Sequence, residues 1–182
     1  MALTKTPVCD FGKKAEDFKL KSINNKLVSL NDIKGDKATL IMFICNHCPY
    51  VKAIIKDLAK DCNELKKDGI NSVAIMSNDT KNYPEDSFDN MIKFAETNNF
   101  GEINYLFDET QEIAKKYGAV CTPDFFGYNK DLELQYRGRF RELKDLKPIN
   151  NGESDLKAAM KTVAQTNKAV SYTHLRAHET YD

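Results

Sequence analysis

The stretch ATLIMFICNHCPYVKAIIKDLAKDCNELKKDGINSVAIM, residues 38–76, changes its hydrophobic period twice, and those changes decide the fold. Ala38 to Ile44 is a β-branched and aromatic run without polar alternation, as expected of a central strand covered on both faces. From Pro49 onward Val51, Ile54, Ile55, Leu58, Ala59, Cys62 and Leu65 recur at helical spacing, with Lys and Asp on the other side. Pro49 suits the first turn of such a helix, where a missing N–H costs nothing. Gly69 closes the helix, and Ile70 to Met76 reads as a second buried strand. A strand–helix–strand unit of this kind implies a parallel pair at the heart of an α/β domain.

The flanks extend this unit. Asp17 to Ile23 alternates apolar and polar residues, Asn24-Asn25 signals a turn, and Lys26 to Leu30 returns, so an N-terminal β-hairpin precedes the core. Downstream, residues 84–97 open with Pro and acids and then place Phe88, Met91, Ile92 and Ala95 at helical spacing. Tyr83 to Ser87 reads as the start of that helix and nothing more. Ile103 to Phe107 suggests a short strand, and Glu109 to Tyr117 a short helix stopped by Gly118. Asp124 to Tyr128 and Leu132 to Tyr136 form two further strands around the Asn129-Lys130-Asp131 turn, and a last helix runs from the Ser154 cap to about Asn167. The expected architecture is a mixed central sheet with helices on both faces. Residues 1–170 are expected to make one domain. The terminal SYTHLRAHETYD, residues 171–182, has no apolar periodicity and reads as a non-native or disordered tail, so His174 and His178 carry little functional weight.

Composition narrows the function. Of 182 residues, 41% are hydrophobic and 30% charged, the profile of a globular chain. Lys plus Arg and Asp plus Glu both number 27, which gives no electrostatic reason to expect nucleic acid or an anionic membrane as partner. The longest apolar run is too short to cross a bilayer, no secretory leader is visible, and the expected compartment is the cytoplasm. Five cysteines (Cys9, Cys45, Cys48, Cys62 and Cys121) make an odd, irregularly spaced set, unlike a secreted disulfide framework.

Cys45-Asn46-His47-Cys48-Pro49 falls where the strongest strand gives way to the strongest helix. The first turn of a helix presents unpaired N–H groups and the positive end of the macrodipole, which stabilise a thiolate and lower its pKa. A protonated or hydrogen-bonding His47 would act in the same direction. Against this stands a plain alternative, in which both cysteines are small fillers of a crowded junction. Cys62 lies on the apolar stripe of the helix and reads as core. Cys9, in a segment without clear pattern, is a weak candidate for a mobile resolving thiol. Arg137, Arg139 and Arg141 cluster after the last strand and read mainly as a solvated basic face, with neutralisation of nearby acids or an anion site as the alternatives. Asn78-Asp79 reads equally as a site loop or as two turn formers. Cys45, His47 and Cys48 are also conceivable metal ligands, with Cys121 the only distant fourth, but no second Cys-x-x-Cys or His pair accompanies them, so no metal is expected. There is no Gly-rich phosphate loop, and no organic cofactor is expected.

Ala15-Glu16-Asp17-Phe18-Lys19-Leu20, Val28-Ser29-Leu30, Ile33-Lys34-Gly35, the block Phe43 to Lys52 and Thr122-Pro123-Asp124-Phe125-Phe126 together resemble the alkyl hydroperoxide reductase/thiol-specific antioxidant group, the peroxiredoxin-like redoxins of the thioredoxin superfamily. The resemblance runs from about Ala15 to Arg139. It implies a thioredoxin-like fold and a redox role. In its register Cys48 takes the place of the nucleophilic cysteine, Val51 stands where the usual second cysteine would be, and Cys45 lies at the strand end three residues upstream. It further implies a cis Thr122-Pro123 bond facing the thiol and positioning substrate, whereas the sequence alone favours trans. Cys121 would then be either a third thiol at the site or a small buried residue. One departure counts against a peroxidase. Peroxidatic cysteines of the group sit in Pro-x-x-x-Thr-x-x-Cys, and counting back from Cys48 meets Cys45 and Ile41 instead. The expected function is therefore thiol–disulfide exchange, with protein or small-molecule disulfides and a thiol reductant as partners. A thiol peroxidase acting on peroxide is the alternative, and metal carriage a weaker one.

Overall fold

The computed structural model describes residues 9–169. The expected tail at 171–182 lies outside the described residues. A seven-stranded sheet forms the centre, built from β1 (Lys19–Ser22), β2 (Leu27–Ser29), β3 (Ala38–Phe43), β4 (Ile70–Met76), β5 (Asn104–Phe107), β6 (Asp124–Asn129) and β7 (Leu134–Arg137). Their spatial order is β2-β1-β5-β4-β3-β6-β7. β3 pairs in parallel with β4, and β4 with β5, while β6, β7 and the N-terminal hairpin add antiparallel ladders. The mixed sheet and the hairpin extension are those expected from the residue pattern.

All six residues of β3 are buried, and the pleat divides them between two cores. Ala38, Leu40 and Met42 point into one, with α2 (Pro49–Lys66), α3 (Phe88–Thr97) and α5 (Asp155–Thr166). Ile41 and Phe43 point into the other, where α1 (Leu30–Ile33) and α4 (Glu112–Tyr117) contribute Leu30, Ile33, Ile113 and Tyr117. Each large side chain buried this way contributes about 1.5–3 kcal/mol, so the strand is held from both sides. That double cover is why it shows no polar alternation.

Several local expectations are corrected. Leu30 does not end a strand but begins α1, because Ser29 and Asp32 close a reciprocal capping box over that turn. The expected helix over 84–97 is two elements. A 3-10 turn over Pro84–Asp86 stops at Ser87, whose extended backbone (ψ 157°) caps a fresh helix with a hydrogen bond from Asn90 N–H. The short helix begins at Glu112 rather than Glu109, because buried Asp108 accepts the N–H groups of Ile113 and Ala114 and fixes the start there. A two-strand ribbon, β8 (Leu143–Lys144) and β9 (Lys147–Pro148), was not expected at all.

Candidate active site

Phe43, the last residue of β3, pairs with Asp124, the first of β6. The two chains leaving the sheet at this rung, 44–48 and 122–123, therefore meet. Cys48 is the N-cap of α2, and Pro49 occupies the first helical position. Proline brings no N–H, so the donors that act on the sulfur are those of Tyr50 and Val51. Cys45 lies just behind on the strand end, almost fully buried. Across from both stands Thr122, joined to Pro123 by a cis peptide bond. Cys45 Sγ is 3.3 Å from Thr122 Oγ1, and Cys48 Sγ is 3.5 Å from the Thr122 carbonyl oxygen, to which it donates only when protonated.

The two thiols are unequal. A hydrogen bond from the Cys45 thiol holds Cys48 down at about 6, against burial, with help from the Val51 and Tyr50 N–H groups and from Thr122. The same bond, together with burial, pushes Cys45 well above the usual thiol range. The arrangement is one thiolate served by one thiol. Elsewhere burial, with smaller help from Asp10 and Asp61, raises the cysteines, Cys9 to about 11 and Cys62 to about 12. Cys62 sits in the core as expected, and Cys9 packs against the opposite core rather than near Cys48. Cys121 is half-buried, its Sγ 3.7 Å from the Pro123 carbonyl, and lines the same groove as Cys48.

His47 does not turn to either sulfur for its hydrogen bond. Its Nδ1 is 2.6 Å from Oδ2 of Asp86, a carboxylate with no exposed surface. Asp86 also accepts the Asn46 N–H at 2.7 Å and the Asn78 side-chain amide at 2.9 Å. Asn46 is held in turn by the Tyr105 hydroxyl and by the Glu85 carbonyl. The His47 ring stacks on Tyr83, centroids 4.9 Å apart and planes 8° from parallel. The segment 83–86, read from sequence as a helix start, is thus part of the site. Asn78 reaches the same carboxylate and lines the groove beside Cys48.

The sulfur of Cys45, one ring nitrogen of His47 and one carboxylate oxygen of Asp86 lie within 4.8 Å of one another. Three donors fall one short of a closed zinc site, and this carboxylate already serves three protein donors.

The loop facing Cys48 is clamped from below. Arg137 donates from Nη2 to Asp124 Oδ2 at 2.9 Å, from Nε to Oδ1 at 3.3 Å, and to the Gly118 carbonyl at 2.9 Å. Asp124 also accepts the Val120 N–H. Arg137 is buried, stacked over Phe126, and not part of a solvated face as expected. Arg139 likewise neutralises Asp155. Above the loop opens a groove of about 1160 Å³, whose rim carries exposed Tyr83, Val120 and Leu146.

Residues 11–140 match the family model described as the AhpC/TSA family. The chain belongs to that family. An uncharacterized conserved protein from Geobacillus kaustophilus is 39% identical to this AhpC/TSA-family chain, with TM-score 0.84 over 94% of this chain and 91% of the other. A hypothetical protein from Sinorhizobium meliloti 1021 is 34% identical, with TM-score 0.87 over 97% and 96%. The thioredoxin domain of a thiol-disulfide oxidoreductase from Bacteroides vulgatus is 19% identical, with TM-score 0.59 over 71% and 88%. This last likeness shows the fold, which is thioredoxin-like. No curated protein matches the chain significantly.

Proposed function

We propose that this AhpC/TSA-family protein exchanges thiols and disulfides, with Cys48 as nucleophile and Cys45 as the resolving thiol. The observation that carries the reading is the geometry at the head of α2, where Cys48 is the N-cap, buried Cys45 lies behind it and Thr122 of the cis Thr122-Pro123 bond faces both sulfurs, a setting that lowers Cys48 and raises Cys45. The Cys48 thiolate attacks one sulfur of a substrate disulfide, forming a mixed disulfide and expelling the other half as a thiolate. Cys45 then loses its proton and attacks Cys48 Sγ. A Cys45–Cys48 disulfide forms, and the bound half leaves with the electron pair. An external thiol reductant returns both cysteines to the reduced state. Thr122 and His47 line the groove where the substrate lies, Pro123 fixes Thr122 there through the cis bond, and Cys121 is a further thiol within the same groove. The odd, irregular cysteine set suits a reducing compartment, and the reading places the protein in the cytoplasm. No helix among the described residues is long and apolar enough to cross a membrane.

The test is a trapping experiment. Reduced Cys45→Ser protein mixed with oxidised glutathione is expected to hold a stable mixed disulfide on Cys48, and wild type an internal disulfide, both read by mass spectrometry. Family membership makes peroxide reduction the second reading. Fast sulfenic acid formation by hydrogen peroxide, with no reaction toward glutathione disulfide, would replace the first reading with that one.

A further inference from the structure

Resolution needs a proton acceptor. Cys45 is buried, its sulfur 3.3 Å from Thr122 Oγ1, and it becomes a nucleophile only when its proton leaves. Once Cys48 is tied up in a mixed disulfide, the thiolate that held that proton's hydrogen bond no longer exists. The remaining titratable groups near Cys45 are His47 and Asp86, whose ring nitrogen and carboxylate oxygen lie within 4.8 Å of its sulfur. Tyr105 is nearby, but its hydroxyl is committed as a donor to Asn46 Oδ1.

We propose that His47, oriented by Asp86, takes the proton of Cys45 during resolution and returns it to the departing substrate thiolate. The inference rests on the exchange reading. Asp86 is the positioning residue. Fully buried, it accepts from the Asn46 N–H and the Asn78 amide and engages Nδ1 of His47 at 2.6 Å. Nε2 is then left as the basic atom of a ring whose side chain is 30% exposed at the groove. Tyr83, stacked flat on the ring, fixes its plane. One ring nitrogen of His47 lies within 4.8 Å of the Cys45 sulfur, and one bridging water, or a small rotation of the ring, links the thiol to Nε2. The step balances. The S–H bond of Cys45 breaks to protonate His47, and the Cys45–Cys48 bond forms as the Cys48–substrate bond breaks. The substrate sulfur leaves with the electron pair and collects the proton from the imidazolium. The substrate disulfide is the oxidant, and His47 ends as it began.

Dithiobis-nitrobenzoate separates the two steps, because mixed-disulfide formation and resolution each release one coloured thiolate. The readout is the ratio of the second-phase to the first-phase rate in stopped flow. His47→Ala is expected to lower that ratio by at least about tenfold, and free imidazole in the buffer to restore much of it. Asp86→Asn is expected to lower it without rescue, since the ring remains but its tautomer is no longer held. If burial makes that variant unstable, His47→Ala at its partly exposed position still decides the matter. A ratio in His47→Ala equal to wild type, or a fall that imidazole leaves untouched, overturns the relay while the exchange reading stands. Release of a single equivalent by wild type overturns the exchange reading itself, and the relay falls with it.

Discussion

At the scale of single residues, the site turns on how differently the environment treats chemically identical thiols. Iodoacetamide labelling followed by mass spectrometry on reduced protein is expected to rank them. Labelling of Cys48 rises with pH through about 6 and is flat from neutrality upward, because its thiol is held below the free-thiol value and the thiolate is the reactive form. Cys45, shifted the other way, stays unlabelled over the same range, as do Cys9 and Cys62, which need pH near 11 and 12. Labelling of Cys48 that begins only near pH 8.5, where a free thiol titrates, would contradict this ranking. Much of this was legible in the letters. A Cys-x-x-Cys between a buried strand and a proline-opened helix locates the electropositive turn without a structure, and the resemblance pointed to Thr122 and Pro123. Asp86 was not legible. It lies 39 positions from His47 in the chain, and Pro84-Glu85-Asp86-Ser87 has a sufficient local explanation as a helix start. The decisive fact about Asp86 is tertiary, a buried carboxylate reached by three donors from two loops.

At the scale of elements, the loop 118–124 is the part that sequence reading underestimated. Its shape depends on the Arg137–Asp124 pair, read earlier as surface charge because three arginines within five residues normally face water. Arg137→Met keeps the volume of the side chain but leaves Asp124 buried and unpaired, and it also frees the Gly118 carbonyl. The expected loss is about 3–5 kcal/mol in urea unfolding. A loss under about 1 kcal/mol would mean that the pair is dispensable to the loop. The β8–β9 ribbon escaped notice for a different reason. Asp145 and Leu146 both adopt positive φ, 51° and 61°, in a turn that usually announces itself as Asn-Gly. With Asp-Leu in that place, and strands of two residues, neither the turn signal nor the period is there to read. Long periodic elements such as α2 and β4 leave no such ambiguity, and both have the expected extents.

Across the whole molecule, the sheet separates two cores that share strands but not side chains. Ile54 on α2 lies in one and Ile113 on α4 in the other. Each Ile→Val change is expected to cost about 0.5–1.5 kcal/mol. The double variant is expected to cost the sum within about 0.5 kcal/mol, measured by chemical denaturation. A larger departure would show that the two layers repack together through β3. The same sheet also sets the distance on which the chemistry depends. Phe43 and Asp124 sit on one rung, so Cys48 and Thr122 are brought opposite each other by two short lengths of chain measured from that rung. The number of residues within 43–48 and 122–124 is therefore held as tightly as the cysteines, His47 and Thr122 themselves. One residue inserted or deleted there would carry the sulfur past the threonine, while the exposed turn at 150–152 can grow or shrink without reaching the site. Descendants of this domain should therefore keep both spelling and length near the thiols and vary in length at the far turns.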